Sequence, residues 1–197
     1  MQHARPEGPP EELKMVWPFN LFRKTPTPLR GTIESIYGMI VAQAREPLFY
    51  RELGVRDSVD GRFDMLLLHL WLALRELKLK GAPREFSQAL VERFCTDMDD
   101  NLRELGTADL RVPKKMQEFG RALYGRAAAY DMAWDAGPEP LAQALSKNIY
   151  NGVDPEHARR LVSYVEAAVR DLGQLDETTL TSGAWRFPQP AATLVKT

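Results

Sequence analysis

Apolar residues recur along most of this chain at intervals of three, four and seven, the spacing of one face of an α-helix. Thr32 stands where an N-cap belongs, and Ile33, Ile36, Ile40 and Ala44 follow as one stripe, with Tyr37 and Val41 beside it. Pro47 closes that helix and opens a short successor over Leu48 to Leu53, and the run from Gly54 to Gly61 has the composition of a loop. Asp60 is the expected cap of the next helix, which reaches about Leu79. Its Phe63, Leu66, Leu67, Leu70, Leu74 and Leu77 face one way, while Met65, Leu68 and Leu72 face elsewhere. A helix apolar on most sides must be surrounded by others.

Gly81 and Pro83 mark a stop and a restart, and Phe86, Leu90 and Phe94 give the following helix its buried face. The polar run Asp97 to Asn101 is expected to interrupt it before Leu102 and Leu105 lead to a stop at Gly106. A long helix is expected from Pro113 to about Asp135, on Met116, Phe119, Leu123, Tyr130 and Trp134. A shorter one follows from about Pro140 to Tyr150. Asp154-Pro155 then caps a helix whose stripe is Ala158, Leu161, Val162, Val165, Val169 and Leu172, ending at Gly173. No stretch alternates like a strand. The pattern predicts an all-α fold: one globular domain of six to eight helices over residues 31–173, between an extended proline-rich arm (1–30) and a C-terminal tail (174–197).

Composition agrees with a protein that builds a core: 44% of the 197 residues are hydrophobic and 27% charged. Twenty-six basic residues face twenty-seven acidic ones, so a nucleic-acid partner is not expected. Cys95 is the only cysteine, which excludes an internal disulfide framework. The opening residues carry neither an apolar signal region nor the acid-poor character of a transit peptide. The most apolar run, Met65 to Leu74, is about half the roughly 20 residues a bilayer span requires.

Five features invite chemistry. Within the arm, Trp17, Phe19, Leu21 and Phe22 precede Arg23 and Lys24. Such a foot either packs on the domain or sits at a membrane interface, and Met15 just before it is a candidate translation start. Asp97, Asp99, Asp100 and Glu104 cluster as a Mg²⁺ site requires, and their spacing resembles the aspartate-rich motifs of helical isoprenoid synthases. Aspartates that pair with Arg103 around a helix break explain the same residues. His69 lies mid-helix and His157 at a helix start, without the E-x-x-H pattern of di-iron or zinc sites, and Cys95 has no local nucleophile motif. Ala122, Gly125, Ala129 and Ala133 form a seam of small residues that suits either close internal packing or a partner helix. Finally, Gln43-Ala-Arg-Glu-Pro-Leu-Phe-Tyr50 builds a polar-aromatic corner at a helix end.

Four ordered blocks resemble the ubiquinol–cytochrome c chaperone family: Ile40 to Tyr50, Gly61 to His69, Asp97 to Gly106 and Tyr124 to Tyr130. The resemblance implies a non-enzymatic assembly factor for ubiquinol–cytochrome c reductase, without a cofactor. Its client would be cytochrome b or another reductase subunit. Mitochondrial members work with a small partner protein and associate with the mitochondrial ribosome. This chain resembles a bacterial member, acting on the cytoplasmic side of the inner membrane in peripheral contact with it. The positions carried over as client-binding are Gln43, Arg45, Glu46, Phe49, Tyr50, Arg62, His69, Asp97, Asp99, Asn101, Arg103, Gly125, Arg126 and Tyr130, with Gly61 and Phe63 in the same blocks. A general lipid-bound helical adaptor, resting on the foot, is the alternative. A metal-dependent prenyl or lipid enzyme would rest on Asp97, Asp99 and Asp100 alone.

Overall fold

The helix centred on Leu70 is apolar on nearly every side, and in the computed structural model, which describes residues 27–191, other helices enclose it. The element order is α1 (Thr27–Ala44), α2 (Pro47–Arg51), α3 (Val59–Leu79), α4 (Arg84–Glu104), α5 (Val112–Ala136), α6 (Pro138–Ile149), α7 (Pro155–Gly173) and α8 (Glu177–Ser182). Helices α1, α4, α5, α6, α7 and α8 all pack on α3. Its Met65, Leu67, Leu68, Leu70, Trp71, Leu72, Ala73 and Leu77 have almost no solvent contact. No strand occurs among the described residues. None of their helices is long and apolar enough to cross a membrane. The all-α expectation holds.

Several boundaries differ from the expectation, each for a local reason. Helix α1 begins at Thr27 rather than after Thr32. Ser58, not Asp60, caps α3: its hydroxyl accepts the Gly61 N–H at 3.1 Å. Gly61 is obligatory there, because a Cβ would lie 2.0 Å from the Arg56 carbonyl oxygen. Helix α4 runs unbroken through the polar residues 97–101 because Asp97, Asp99 and Asn101 find partners about a turn away or on α1, while Asp100 faces solvent. Asp97 accepts the Tyr37 hydroxyl of α1 at 2.9 Å and lies 3.8 Å from Arg93. The Asn101 amide donates to the Asp97 carbonyl, and Arg103 pairs with Asp99 at 2.6 Å.

The largest correction concerns the expected tail. After Gly173 the chain forms α8 and then crosses back over the core, where Leu180, Trp185 and Phe187 are buried. The Trp185 indole donates to the Leu180 carbonyl at 2.9 Å, and the Phe187 ring stands edge-on to His69 at 5.1 Å. Gly183 makes the turn in a left-handed conformation (φ 75°), close enough to α1 that a Cβ would meet Ile36 at 3.1 Å. Residues 174–191 are therefore part of the domain.

The far ends of α4 and α5 are organised differently. Leu102 and Val112 are buried there, yet stand outside the main core cluster. Among the described residues, the side-chain bonds of this region stay within the hairpin: Arg103 with Asp99 and Asp109, Asn101 with Asp97, Lys115 with Glu118. Leu105 and Leu110 in the connecting turn are 76% and 96% exposed.

Candidate functional site

Three of the carried-over residues meet inside the molecule. Gln43, at the end of α1, donates its amide protons to the Tyr164 hydroxyl of α7 and to the Pro188 carbonyl, both at 3.1 Å. The Tyr164 oxygen is 2.8 Å from His69 Nε2, and His69 Nδ1 is 2.7 Å from the Met65 carbonyl. A carbonyl can only accept, so Nδ1 carries the ring proton and Nε2 accepts from Tyr164. Phe49 packs edge-on to both rings, at 5.3 Å from His69 and 4.8 Å from Tyr164. Burial pushes the His69 pKa down to about 4, so the imidazole is neutral under ordinary conditions. Gln43, Phe49 and His69 thus join α1, α3, α7 and the C-terminal segment. A client cannot reach them in this fold.

A second group straps α5 to α3. Arg126 pairs with Asp64 at 2.7 Å and lies over the Phe63 ring at 5.7 Å. Desolvation outweighs the attraction of Arg126 and raises the Asp64 pKa to about 6. Tyr130 is fully buried against Trp71, whose indole donates to Asp131 at 2.8 Å. A third group ties α1 to α4: Arg93 pairs with Glu34 at 2.6 Å and covers the Tyr37 ring at 4.9 Å, beside the Tyr37–Asp97 bond.

The acidic cluster is divided among these duties. Asp97 faces Tyr37 and Arg93, Asp99 faces Arg103, and Asp100 points to solvent. Among the described residues no group of three or more His, Cys, Asp or Glu side chains is placed to hold a metal. Cys95 is half-buried, and burial pushes its thiol up to about 11, far from a reactive thiolate.

Two accessible surfaces remain among the carried-over positions. The first is the outer face of α5. Of the small-residue seam, Ala133 is buried, Ala122 and Ala129 are half-buried, and Gly125 is exposed. No atom lies within 4 Å of where a Gly125 Cβ would stand, and Ala128 and Met132 are exposed nearby. The seam meets the core at both ends, through Ala122 and Ala133, and stands open between them at Gly125. Glycine costs about 1 kcal/mol relative to alanine inside a helix. Gly125→Ala should therefore raise the unfolding free energy by roughly that amount, read by urea titration; a destabilised variant would mean the face is covered.

The second surface is a cleft of about 240 Å³ where α1, α2 and α3 meet, lined by Arg45, Pro47, Tyr50, Arg51, Asp57 and Arg62. It gathers three of the carried-over residues, Arg45, Tyr50 and Arg62, with Glu46 at its edge in sequence. The Tyr50 hydroxyl donates to the Ala44 carbonyl at 2.6 Å, fixing the ring. Arg62 is held by Asp57 at 2.8 Å with its guanidinium 6.0 Å from the Tyr50 centroid. The expected set had no place for Arg51, Asp64 or Tyr164. Tyr164 falls three residues after Leu161 on the α7 stripe, which was the available signal.

The expected membrane foot, Trp17, Phe19, Phe22, Arg23 and Lys24, lies outside the described residues.

Comparison with known proteins agrees along the body of the chain. Over 157 residues it is 24% identical to the mitochondrial protein CBP3 of Saccharomyces cerevisiae, covering 75% of this chain and 46% of that protein. Ubiquinol-cytochrome-c reductase complex assembly factor 1 of Xenopus laevis is 26% identical over 144 residues, 70% of this chain and 72% of the relative. For the human counterpart the identity is again 26%, with 48% of that protein covered. The chain thus spans about half the length of the yeast and human relatives. The crystal structure of the Cbp3 homolog from Brucella abortus superposes with a TM-score of 0.76 at 34% identity, covering 87% of this chain and 97% of that one. The family model described as ubiquinol-cytochrome C chaperone matches residues 51–187, which takes in α3 to α8 and the buried Trp185 and Phe187 and leaves Gln43 to Tyr50 just outside. With well over half of its length matched, this chain belongs to the ubiquinol–cytochrome C chaperone family.

Proposed function

We propose that this protein is an assembly chaperone of ubiquinol–cytochrome c reductase, and that its client is newly made cytochrome b. The observation that carries the reading is the family match over residues 51–187, together with the likeness to the Brucella homolog over nearly all of that chain. The use made of polar residues supports binding over catalysis: the histidine and the paired carboxylates above are bonded within the fold, where they set helix against helix. Gly125 and the open face around it on α5 are the proposed client surface, since small residues admit a helix closely. The buried members of the carried-over set hold that face in place.

Removal of the gene should abolish assembled reductase, read as loss of quinol-dependent cytochrome c reduction and of the complex on native gels. Affinity capture of the full chain should bring down cytochrome b, and Gly125→Leu should lose that capture while melting no lower than wild type. A normal reductase in the deletion strain, with no cytochrome b captured, would end the reading.

Peripheral contact with the cytoplasmic face of the inner membrane belongs to the same proposal and rests on the composition of residues 15–24. Adjoining cations near an anionic surface contribute on the order of 1 kcal/mol each. Deleting residues 1–24 should leave the helical fold intact and release the protein from anionic liposomes. Equal flotation of the truncated and full chains would exclude the foot as an anchor.

A further inference from the structure

The cleft between α1, α2 and α3 holds more positive charge than the fold uses. Its lining brings Arg45, Arg51 and Arg62 together against one carboxylate, Asp57. Asp57 is committed to Arg62 at 2.8 Å. Among the described residues Arg45 and Arg51 are exposed and make no ion pair. Like charges gathered on a short stretch of chain repel one another, and among the described residues neither the Arg45 nor the Arg51 side chain covers an aromatic ring or bonds a carbonyl that would require it there. The walls, by contrast, are fixed. Tyr50 is tied to the end of α1 through the Ala44 carbonyl, and Arg62 is oriented between Asp57 and the Tyr50 ring.

We propose that this cleft is an oxyanion site that takes a phosphoryl group, contacted by Arg45 and Arg51 together with Arg62. Its net charge of about two positive units matches that of a phosphate, which carries between one and two negative charges near neutral pH. Guanidinium groups present paired N–H donors in a planar fork that suits phosphate oxygens. A volume of about 240 Å³ accommodates a phosphate with its first attached groups. The same chemistry fits a lipid headgroup or free phosphate. The proposal goes beyond the assembly function and does not depend on which subunit is the client.

The test uses the full chain in isothermal titration calorimetry at pH 7, with two probes. One is inorganic phosphate; the other is dihexanoyl phosphatidylglycerol, kept below its micelle concentration so that no membrane contact contributes. Wild type should bind at least one probe with submillimolar affinity. The Arg45→Gln/Arg51→Gln double variant should bind at least tenfold more weakly at an unchanged melting temperature, because both side chains are exposed and unpaired. Tighter binding of the short-chain lipid identifies a headgroup as the source; equal or tighter binding of phosphate identifies the free anion. Arg111→Gln/Lys114→Gln, which removes two cations outside the cleft, should bind as wild type does. Absence of binding by both probes overturns the proposal. So does binding unchanged in the cleft variant, or a loss that is equal in the two double variants.

Discussion

A chain ending at Gly173 should show no cooperative unfolding transition, because Leu180, Trp185 and Phe187, all buried in the core, lie beyond that point. Loss of a buried tryptophan or phenylalanine side chain typically costs about 3–5 kcal/mol and of a leucine about 2–5 kcal/mol. Together they approach the 5–15 kcal/mol that is the whole stability of an ordinary domain. The truncation also takes away the Pro188 carbonyl, leaving one proton of the buried Gln43 amide without its acceptor. The measurement is urea titration followed by far-ultraviolet circular dichroism. Trp185→Ala in the full chain serves as the intermediate case, destabilised by about 3–5 kcal/mol yet folded. If the truncated chain melts cooperatively within a few degrees of the full one, the C-terminal segment does not complete the core in solution.

The second large effect is expected at His69 and depends on pH. At pH 7.5, His69→Gln should lower stability by about 2–3 kcal/mol, since Tyr164 and the Met65 carbonyl lose partners in a buried site. The folded-state pKa of about 4 lies below the roughly 6.5 of an unfolded histidine. The unfolded chain therefore takes up a proton first as pH falls. Wild type loses stability below pH 6.5 by up to about 1.4 kcal/mol per pH unit until the folded-state value is reached. The variant lacks this group, so the gap between the two proteins should narrow steadily from pH 6.5 towards pH 4.5. Asp64 shifts the other way: its folded value near 6 exceeds the unfolded one, so its protonation favours the fold. It is present in both proteins and cancels in the difference. A gap that is constant with pH would mean that His69 titrates normally and is not sealed inside.

Helices announced by regular stripes were legible from the chain alone. Leu66, Leu70 and Leu77 define α3 wherever the other helices lie, and Asp154-Pro155 marks the start of α7 with both a cap and a pre-set φ, as found. The misreadings share a cause: the deciding contact came from a distant part of the chain. Residues 97–101 look like a helix break until Tyr37, sixty positions away, supplies a donor to Asp97. Trp185 and Phe187 carry no helical period and sit among prolines, so their burial depends on a surface built by α1, α3 and α7. The candidate surfaces were legible only as an inventory. Arg45, Tyr50 and Arg62 could be named from the blocks that contain them. That they line one cleft with Arg51 follows from the turn at Pro47 and the Ser58 cap, which bring the start of α3 back beside α2.

The separate packing of the α4–α5 hairpin end has a consequence for how the protein breathes. Leu102 and Val112 are buried outside the main cluster, and the bonds around them stay within the hairpin. Unzipping that end exposes little apolar surface and leaves the layers around α3 closed. Amide hydrogens from about residue 100 to 112 should then exchange through a partial opening well below the global unfolding free energy. A protease that cuts after the exposed Arg111 would meet the same excursion, and the two fragments would stay together on the shared core. This end of the molecule can therefore change shape on a faster clock than the fold that carries it.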